Sequence, residues 1–199
     1  MRRISLICLV LLVGCDGASS SVAPQASSTA ARSEASSTAA PGNGRLPTST
    51  ASNSVVQPQP PPGSCHARGS GLHSLPDPHC TPGAISPAVT QANIGSTICR
   101  SGYTKTVRPP EHITADEKKK SMAAYGDKLP ATQYEYDHLV SLELGGATND
   151  PRNLWPEPGH TPNPKDEVEG QLKRLVCAHR LSLSQAQLEI AHDWVTRRP

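Results

Sequence analysis

Asp137 and His138 are adjacent residues whose side chains can do chemistry together. A carboxylate is a hard oxygen ligand of the kind that Mg²⁺ and Mn²⁺ prefer. A neutral imidazole can take a proton from water near neutral pH, so His138 is a candidate general base. Both residues lie in the alternating run Tyr134 to Val140, which predicts a half-buried strand. Because successive side chains of a strand point to opposite faces, Asp137 can hold a cation while His138 addresses a water molecule.

The residues that follow predict the elements that position this pair. Gly145 and Gly146 open a polar loop that ends at an Asn-Asp-Pro turn sequence. A short apolar segment, Asn153 to Trp155, predicts a second strand, and prolines close it. After a second polar loop, Asp166 to His179 carries apolar residues at helical spacing and predicts a helix. Strand, loop, strand and helix in this order make a ββα unit.

The segments DHLVSLELGG, NLWPEP and NPKD, in that order, resemble the HNH nuclease family, the ββα-metal endonucleases. Within that family, the chain looks closest to small secreted or lipid-anchored bacterial members that end in an AQ…I…DW pattern. The resemblance implies an α+β fold, with a small ββα-metal core and flanking helices. It also implies one divalent metal, Mg²⁺ or Mn²⁺, with Asp137 as a ligand and His138 as the general base. Asn153, on the second strand, is then expected to brace the loop that orients the histidine.

The resemblance implies a further metal ligand near the start of the helix. Asn163 is the preferred candidate because it stands at the helix entrance, with His160 and Asp166 as alternatives. The chain lacks the family's His-Asn-Arg-Lys-like run at this place, so the ligand's identity stays open. Lys165 and Arg152 are candidates for contacts with a substrate phosphate, and an ordinary surface charge is the alternative for each.

The first fifteen residues have the pattern of an export signal. A basic start, Met1 to Arg3, precedes an apolar run from Ile4 to Val13, which is too short to cross a bilayer. The ending Leu-Val-Gly-Cys resembles a bacterial lipobox, which implies lipidation of Cys15. An ordinary signal peptide that is cut elsewhere is the alternative, and both interpretations predict an exported protein.

The region from 16 to 63 is rich in Ser, Ala, Thr and Pro and nearly lacks large apolar side chains. Such a composition buries too little surface to offset the entropy of ordering, so it predicts a disordered linker. The folded domain is then expected to span 64–199, a common size for a single domain.

Four cysteines remain in the predicted domain, and an even number in an exported chain predicts two disulfides. The favoured pairs are Cys65 with Cys80, which closes a Gly- and Pro-rich loop, and Cys99 with Cys177, which ties an early element to a late helix. The pairing stays open at this point. A structural zinc site is disfavoured because the spacings are long and include no Cys-x-x-Cys pair.

The other elements follow from shorter patterns. Ile85 to Ile98 leans towards helix, and the alternation from Tyr103 to Arg108 predicts a strand. A capping box predicts a helix from Ala115 to Tyr125. Ser184 is expected to cap a last helix, with Trp194 as a core residue at its end.

The charges limit the kind of partner. Residues 64–199 contain fifteen Lys plus Arg and fifteen Asp plus Glu, so long-range attraction to nucleic acid is not favoured. A local basic patch with modest, salt-sensitive affinity is compatible with this balance, and no base-reading motif is present.

The leading hypothesis is a lipid-anchored, metal-dependent endonuclease, acting as a monomer on DNA or on RNA with little sequence specificity. The alternative is a non-catalytic envelope lipoprotein that uses the ββα scaffold for structure or partner binding.

Overall fold

A computed structural model describes residues 44–197 of the chain. This part combines helices with a small antiparallel sheet, so the prediction of an α+β fold is confirmed at that level. The elements, in chain order, are α1 Tyr103–Val107, α2 Glu111–Tyr125, β1 Tyr134–His138, β2 Leu154–Pro158, α3 Pro164–Cys177 and α4 Leu183–Asp193. Short 3₁₀ turns connect several of them.

β1 and β2 pair in antiparallel fashion, with Tyr134 opposite Pro158 and His138 opposite Leu154. The pairing continues one step into the loop, where the Leu139 amide donates to the Asn153 carbonyl at 2.7 Å. β1 is shorter than predicted because Leu139 and Val140 turn into the loop and are buried in the core. β1, β2 and α3 follow one another in the predicted order.

α3 begins two residues earlier than the sequence predicted, because Asn163 caps it. The Asn163 side-chain oxygen accepts from the amides of Lys165 at 2.8 Å and Asp166 at 3.2 Å. The Asp166 carboxylate accepts from the Asn163 amide in return, which completes a capping box. The helix buries the apolar stripe formed by Val168, Leu172 and Val176.

Two predictions about the first half of the domain are wrong in detail. Residues 103–107 form the short helix α1 and not a strand. A six-residue alternation is too short to outweigh local hydrogen bonds, such as the one from the Thr106 hydroxyl to the Tyr103 carbonyl at 2.7 Å. The segment from Ile85 to Ile98 forms only a 3₁₀ turn, Gln91–Ser96.

The starts of two helices also differ from the prediction. α2 begins at Glu111, directly after Pro110, and the Thr114 hydroxyl bonds the Glu111 carbonyl within the helix instead of capping it. α4 is capped by Ser182, whose hydroxyl accepts from the Gln185 amide, and not by Ser184. The observed start lies four residues upstream of the predicted one for α2, and the observed cap lies two residues upstream for α4.

The described part of the predicted linker, residues 44–63, packs on the domain. Leu46 is buried in the core, and the Ser49 amide donates to the Ile85 carbonyl at 2.8 Å. The Asn149 side chain donates to the carbonyls of Ser52 and Val55. The domain therefore begins before residue 64, because backbone hydrogen bonds hold a segment that has few apolar side chains. Residues 16–43 of the predicted linker lie outside the described part.

Both favoured disulfides are confirmed. Cys65 and Cys80 are joined with their Cα atoms 6.0 Å apart, and Cys99 and Cys177 with theirs 5.6 Å apart. Disulfides form and persist in oxidising compartments, so they indicate an extracytoplasmic protein. The predicted signal peptide and Cys15 lie outside the described residues. Among residues 44–197, no helix is long and apolar enough to cross a membrane.

The main core lies around α3, α4 and the loop that follows β1. Trp194 is fully buried in it, as the sequence predicted, beside Leu139, Val140 and Ile190. The apolar faces of α3 and α4 thus fix one side of the β1–β2 loop.

Candidate active site around Asp137, His138 and Lys165

His138 ends β1 with its imidazole buried, at 6 % exposure. Its Nε2 atom lies 3.0 Å from the Thr148 carbonyl oxygen. A carbonyl can only accept, so Nε2 carries the proton and Nδ1 keeps the lone pair. Burial lowers the pKa of His138 below its ordinary value, against the opposing effects of Asp137 and the Thr148 carbonyl. The ring is therefore a neutral base near neutral pH.

Asn153 braces the loop that carries Thr148. Its side-chain nitrogen donates to the carbonyls of Val140 and Ala147, each at 3.0 Å. Its oxygen accepts from the amides of Val140 at 2.9 Å and Ala84 at 3.3 Å. The residue is fully buried, so all four bonds form away from water. Asn153 thus closes the loop from Val140 to Ala147 and contributes no group to the solvent.

The glycine pair of the loop has a steric explanation. A Cβ atom on Gly146 would lie 1.7 Å from the Val140 carbonyl oxygen and 2.9 Å from the Asn153 side-chain nitrogen. Gly145 adopts a φ of +72°, the left-handed region that glycine tolerates best. The pair therefore allows the loop to close tightly around Asn153.

Asp137 has a partner that the sequence did not predict. Lys165 lies in the first turn of α3, is 0 % exposed, and donates its ammonium to the Asp137 carboxylate. The same ammonium donates to Glu169 Oε1 at 2.6 Å and lies 3.7 Å from Glu157 Oε2. Three carboxylates, from β1, β2 and α3, therefore surround one buried ammonium.

The pKa of each group in this cluster depends on the charges of the other groups. Burial acts to raise the pKa of Asp137, but the Lys165 charge, the neighbouring His138 and the hydrogen bond from Lys165 outweigh it and hold that pKa below its usual value. Burial disfavours the Lys165 ammonium, yet the surrounding carboxylates raise its pKa well above the usual value. Burial raises the pKa of Glu157 to about 8 and that of Glu169 to about 7, with Lys165 opposing both shifts. Asp137 and Lys165 are therefore a stably charged pair.

Two of the predicted metal ligands, Asn163 and Asp166, form the cap of α3. The Asn163 oxygen is used by two amides of α3, and Asp166 is used by the capping box. His160 is exposed and lines a surface cleft together with Lys118 and Glu135. Residues 44–197 contain no group of three His, Cys, Asp or Glu side chains arranged to hold a metal ion. The predicted ligand set of Asp137 and Asn163 thus does not fit a bound Mg²⁺ or Mn²⁺ in this arrangement.

The two predicted phosphate contacts have different outcomes. Lys165 is neither a phosphate contact nor a surface charge in this structure, because its side chain is enclosed by the carboxylates. Arg152 remains at the surface, with 44 % of its side chain exposed. Its guanidinium donates to the Asp150 carboxylate at 3.0 and 2.7 Å, which raises its pKa and fixes it beside the loop.

Sequence reasoning missed Glu157, Glu169 and the Thr148 carbonyl. Glu169 follows Lys165 by four residues on a helix, a spacing that places the two side chains together. Glu157 lies next to a proline on β2, and nothing in its neighbourhood signals a buried carboxylate. The contribution of Thr148 comes from its backbone, for which no residue pattern exists.

No family model, no curated protein and no solved structure matches the chain.

Proposed function

We propose that this protein is an exported endonuclease that hydrolyses phosphodiester bonds with His138 as its general base. The observation that carries the proposal is the buried imidazole whose Nε2 donates to the Thr148 carbonyl. This bond fixes the ring and leaves Nδ1 as the basic atom, with a pKa lowered by burial. The ββα order of β1, β2 and α3 supports the same proposal, as do the segments that resemble the HNH nucleases.

The reaction proposed is a direct displacement by water. Nδ1 of His138 takes a proton from a water molecule as the water oxygen attacks phosphorus. The bond from phosphorus to the leaving oxygen breaks, and that oxygen takes a proton from solvent. Asn153 acts through the loop, since its bonds to Val140 and Ala147 hold the Thr148 carbonyl that orients the imidazole.

The proposed substrate is DNA, or RNA as the second choice, bound with little sequence preference. Arg152 offers a surface guanidinium beside the loop, and such groups position phosphates without reading bases. The balanced charge of residues 64–199 implies a modest affinity for nucleic acid. Contacts of basic side chains with phosphates imply that this affinity falls as the salt concentration rises. A lipid on Cys15 would hold the domain at a membrane outside the cytoplasm, and that anchor is part of the proposal.

A second function has its own supporting observation. Asp137 is neutralised by the Lys165 ammonium, which is the arrangement of a structural ion pair. A non-catalytic envelope protein that uses the scaffold for structure or partner binding would need no free carboxylate at this position. The two functions differ in whether the chain cleaves nucleic acid at all.

The test uses the mature chain with oxidised cysteines and compares supercoiled DNA with single-stranded RNA. Each substrate is incubated alone, with Mg²⁺, with Mn²⁺ and with a chelator. His138→Ala should abolish cleavage, whereas His192→Ala, an exposed histidine of α4, should leave the rate unchanged. Circular dichroism shows whether both variants keep the fold. A folded wild type that cleaves neither substrate under any condition would overturn the first function and favour the second.

A further inference from the structure

Three carboxyl groups surround Lys165, and with the ammonium among them they are not arranged to hold a metal ion. Oxygens of Asp137, Glu157 and Glu169 approach one point from three separate elements, and the Lys165 ammonium occupies that point. We propose that this ammonium is a built-in cation, and that the cluster binds a divalent metal ion only when the ammonium is removed. The inference concerns binding and does not require that the protein cleaves nucleic acid.

Glu157 gives an independent reason to regard the cluster as a cation site. Its side chain is 4 % exposed, and its Oε2 atom has no hydrogen-bond partner in the described part of the chain. That oxygen lies 3.7 Å from the Lys165 nitrogen, which is too far for a good hydrogen bond. The ammonium therefore donates to Asp137 and Glu169 and leaves this oxygen of Glu157 without a donor.

The ammonium and a metal ion exclude each other at this position. Mg²⁺ binds oxygen ligands at about 2.0–2.1 Å and Ca²⁺ at about 2.3–2.6 Å. The Lys165 nitrogen already lies 2.6 Å from Glu169 Oε1 and donates to Asp137 as well. A metal bound to the same oxygens would lie within a few ångströms of a second positive charge, and their repulsion in a buried place is strong.

The burial of Lys165 makes displacement unfavourable. Its side chain is 0 % exposed, so the ammonium cannot swing into solvent without moving the first turn of α3. Asn163 fixes that turn through its two cap bonds. Any cleavage at His138 would then proceed without a divalent ion on Asp137.

The first arm of the test uses the wild-type chain and Mn²⁺. A paramagnetic ion broadens the NMR signals of nearby nuclei, so the amide signals of Asp137, Glu157 and Glu169 report binding in the cluster. Millimolar Mn²⁺ should leave these three signals no broader than the other amide signals of the domain. Selective broadening of the three signals in the wild type would overturn the proposal.

The second arm removes the ammonium. Lys165→Met keeps the length of the stem and should gain one Mn²⁺ site, with an affinity about tenfold or more above that of the wild type by calorimetry. The double variant Asp137→Asn with Lys165→Met should lose that gain. Lys173→Met is the matched control, because Lys173 lies on the same helix, pairs with Glu143 and is 30 % exposed.

Each outcome of the second arm decides the proposal. A folded Lys165→Met chain that binds Mn²⁺ no better than Lys173→Met would overturn it. Because the buried Asp137 carboxylate loses its cation in this variant, Lys165→Met is also refolded with Mn²⁺ present. Recovery of the fold with Mn²⁺, and not with Na⁺ at equal ionic strength, would support it; if the variant stays unfolded in both, the wild-type arm decides.

Discussion

The Nε2 atom of His138 lies 3.0 Å from the carbonyl oxygen of Thr148. This contact joins the end of β1 to the loop before β2, and it selects the tautomer that leaves Nδ1 basic. Asn153 holds the same loop from the other side through Val140 and Ala147. The orientation of the imidazole thus depends on a backbone atom, whose position depends in turn on a buried amide side chain.

The acid side of the pH profile should report the buried imidazole. The pKa of His138 is lowered from its ordinary value of 6.5, chiefly by burial. The neutral base is then present at pH 6.5 and above, and it is lost only as the pH falls through the lowered value. We expect kcat/KM for DNA to fall on the acid side with a midpoint below 6.5.

The same pKa can be measured without activity. The His138 ring signals in an NMR titration should move with the same midpoint as the kinetic profile. A midpoint at or above 6.5 would contradict the burial of this imidazole. Two different midpoints would mean that another group limits the rate.

Glu157→Gln should stabilise the protein at alkaline pH. The pKa of Glu157 in the folded chain is raised from 4.5 to about 8, first by burial. Between these values the folded state binds the proton more tightly than the unfolded state, so wild-type stability falls as the pH rises. Gln cannot ionise, so this loss does not occur in the variant. Its free energy of unfolding should exceed that of the wild type by a few kcal/mol above pH 8 and should equal it below pH 4.5.

Urea denaturation of both proteins at several pH values tests this expectation. The difference in the free energy of unfolding should grow with pH across that window and then level off. Glu143→Gln, which removes a carboxylate outside the cluster, is the control. A difference between Glu157→Gln and the wild type that does not change with pH would refute the raised pKa.

Asn153→Asp should destabilise the domain although the two side chains have the same shape. The change replaces the donor to Val140 and Ala147 by an oxygen that faces their carbonyl oxygens. Leaving buried groups without partners costs about 1–3 kcal/mol for each group. We therefore expect a loss of about 3 kcal/mol in the free energy of unfolding, measured with urea at neutral pH.

Asn163→Asp is the matched control for this change. Asn163 uses its side-chain oxygen to accept from the amides of Lys165 and Asp166, and an aspartate caps a helix about as well as an asparagine. Its stability should change by less than about 0.5 kcal/mol. Equal effects of the two substitutions would show that Asn153 does not brace the loop through its amide nitrogen.

Sequence could predict the features of this domain that depend on local patterns. Period-two alternation indicated β1, and the turn residues after it indicated the loop. The Asn163–Asp166 spacing has the form of a capping box, although the start of α3 was placed two residues late. The Cys65–Cys80 disulfide was favoured because the two residues close a short Gly- and Pro-rich loop. The Cys99–Cys177 disulfide was favoured because it joins an early element to a late helix.

The features that sequence did not predict depend on long-range contacts. A lysine is ordinarily exposed, so nothing marked Lys165 as buried among carboxylates from three elements. The segment at 44–63 has few apolar side chains, yet backbone carbonyls such as that of Ser52 anchor it to Asn149. The linker was predicted from the composition of its side chains, and such a prediction does not detect hydrogen bonds made by backbone groups.

Removal of the Cys99–Cys177 disulfide should cost more stability than removal of the Cys65–Cys80 disulfide. The first bond joins residues 78 positions apart, and the second joins residues 15 apart. A disulfide that closes a longer loop restrains the unfolded chain more. In the chain-entropy model, the stabilisation is about 4.5 kcal/mol for the Cys99–Cys177 disulfide and about 3 kcal/mol for the Cys65–Cys80 disulfide. Double Cys→Ala variants compared by urea denaturation test the order, and a larger loss for the shorter loop would contradict it.

Gly146→Ala should be among the most destabilising single substitutions in the loop. The added methyl group would lie 1.7 Å from the Val140 carbonyl oxygen, a backbone atom that cannot move without breaking its bond to Asn153. We expect a loss of at least about 2–3 kcal/mol in the free energy of unfolding, together with loss of cleavage, because the loop carries the carbonyl that orients His138. Gly95→Ala is the control, since a Cβ at Gly95 meets nothing within 4 Å. Equal stability of the two variants in urea denaturation would contradict the close packing of the loop around Asn153. It would also contradict the inference that this packing orients the imidazole of His138.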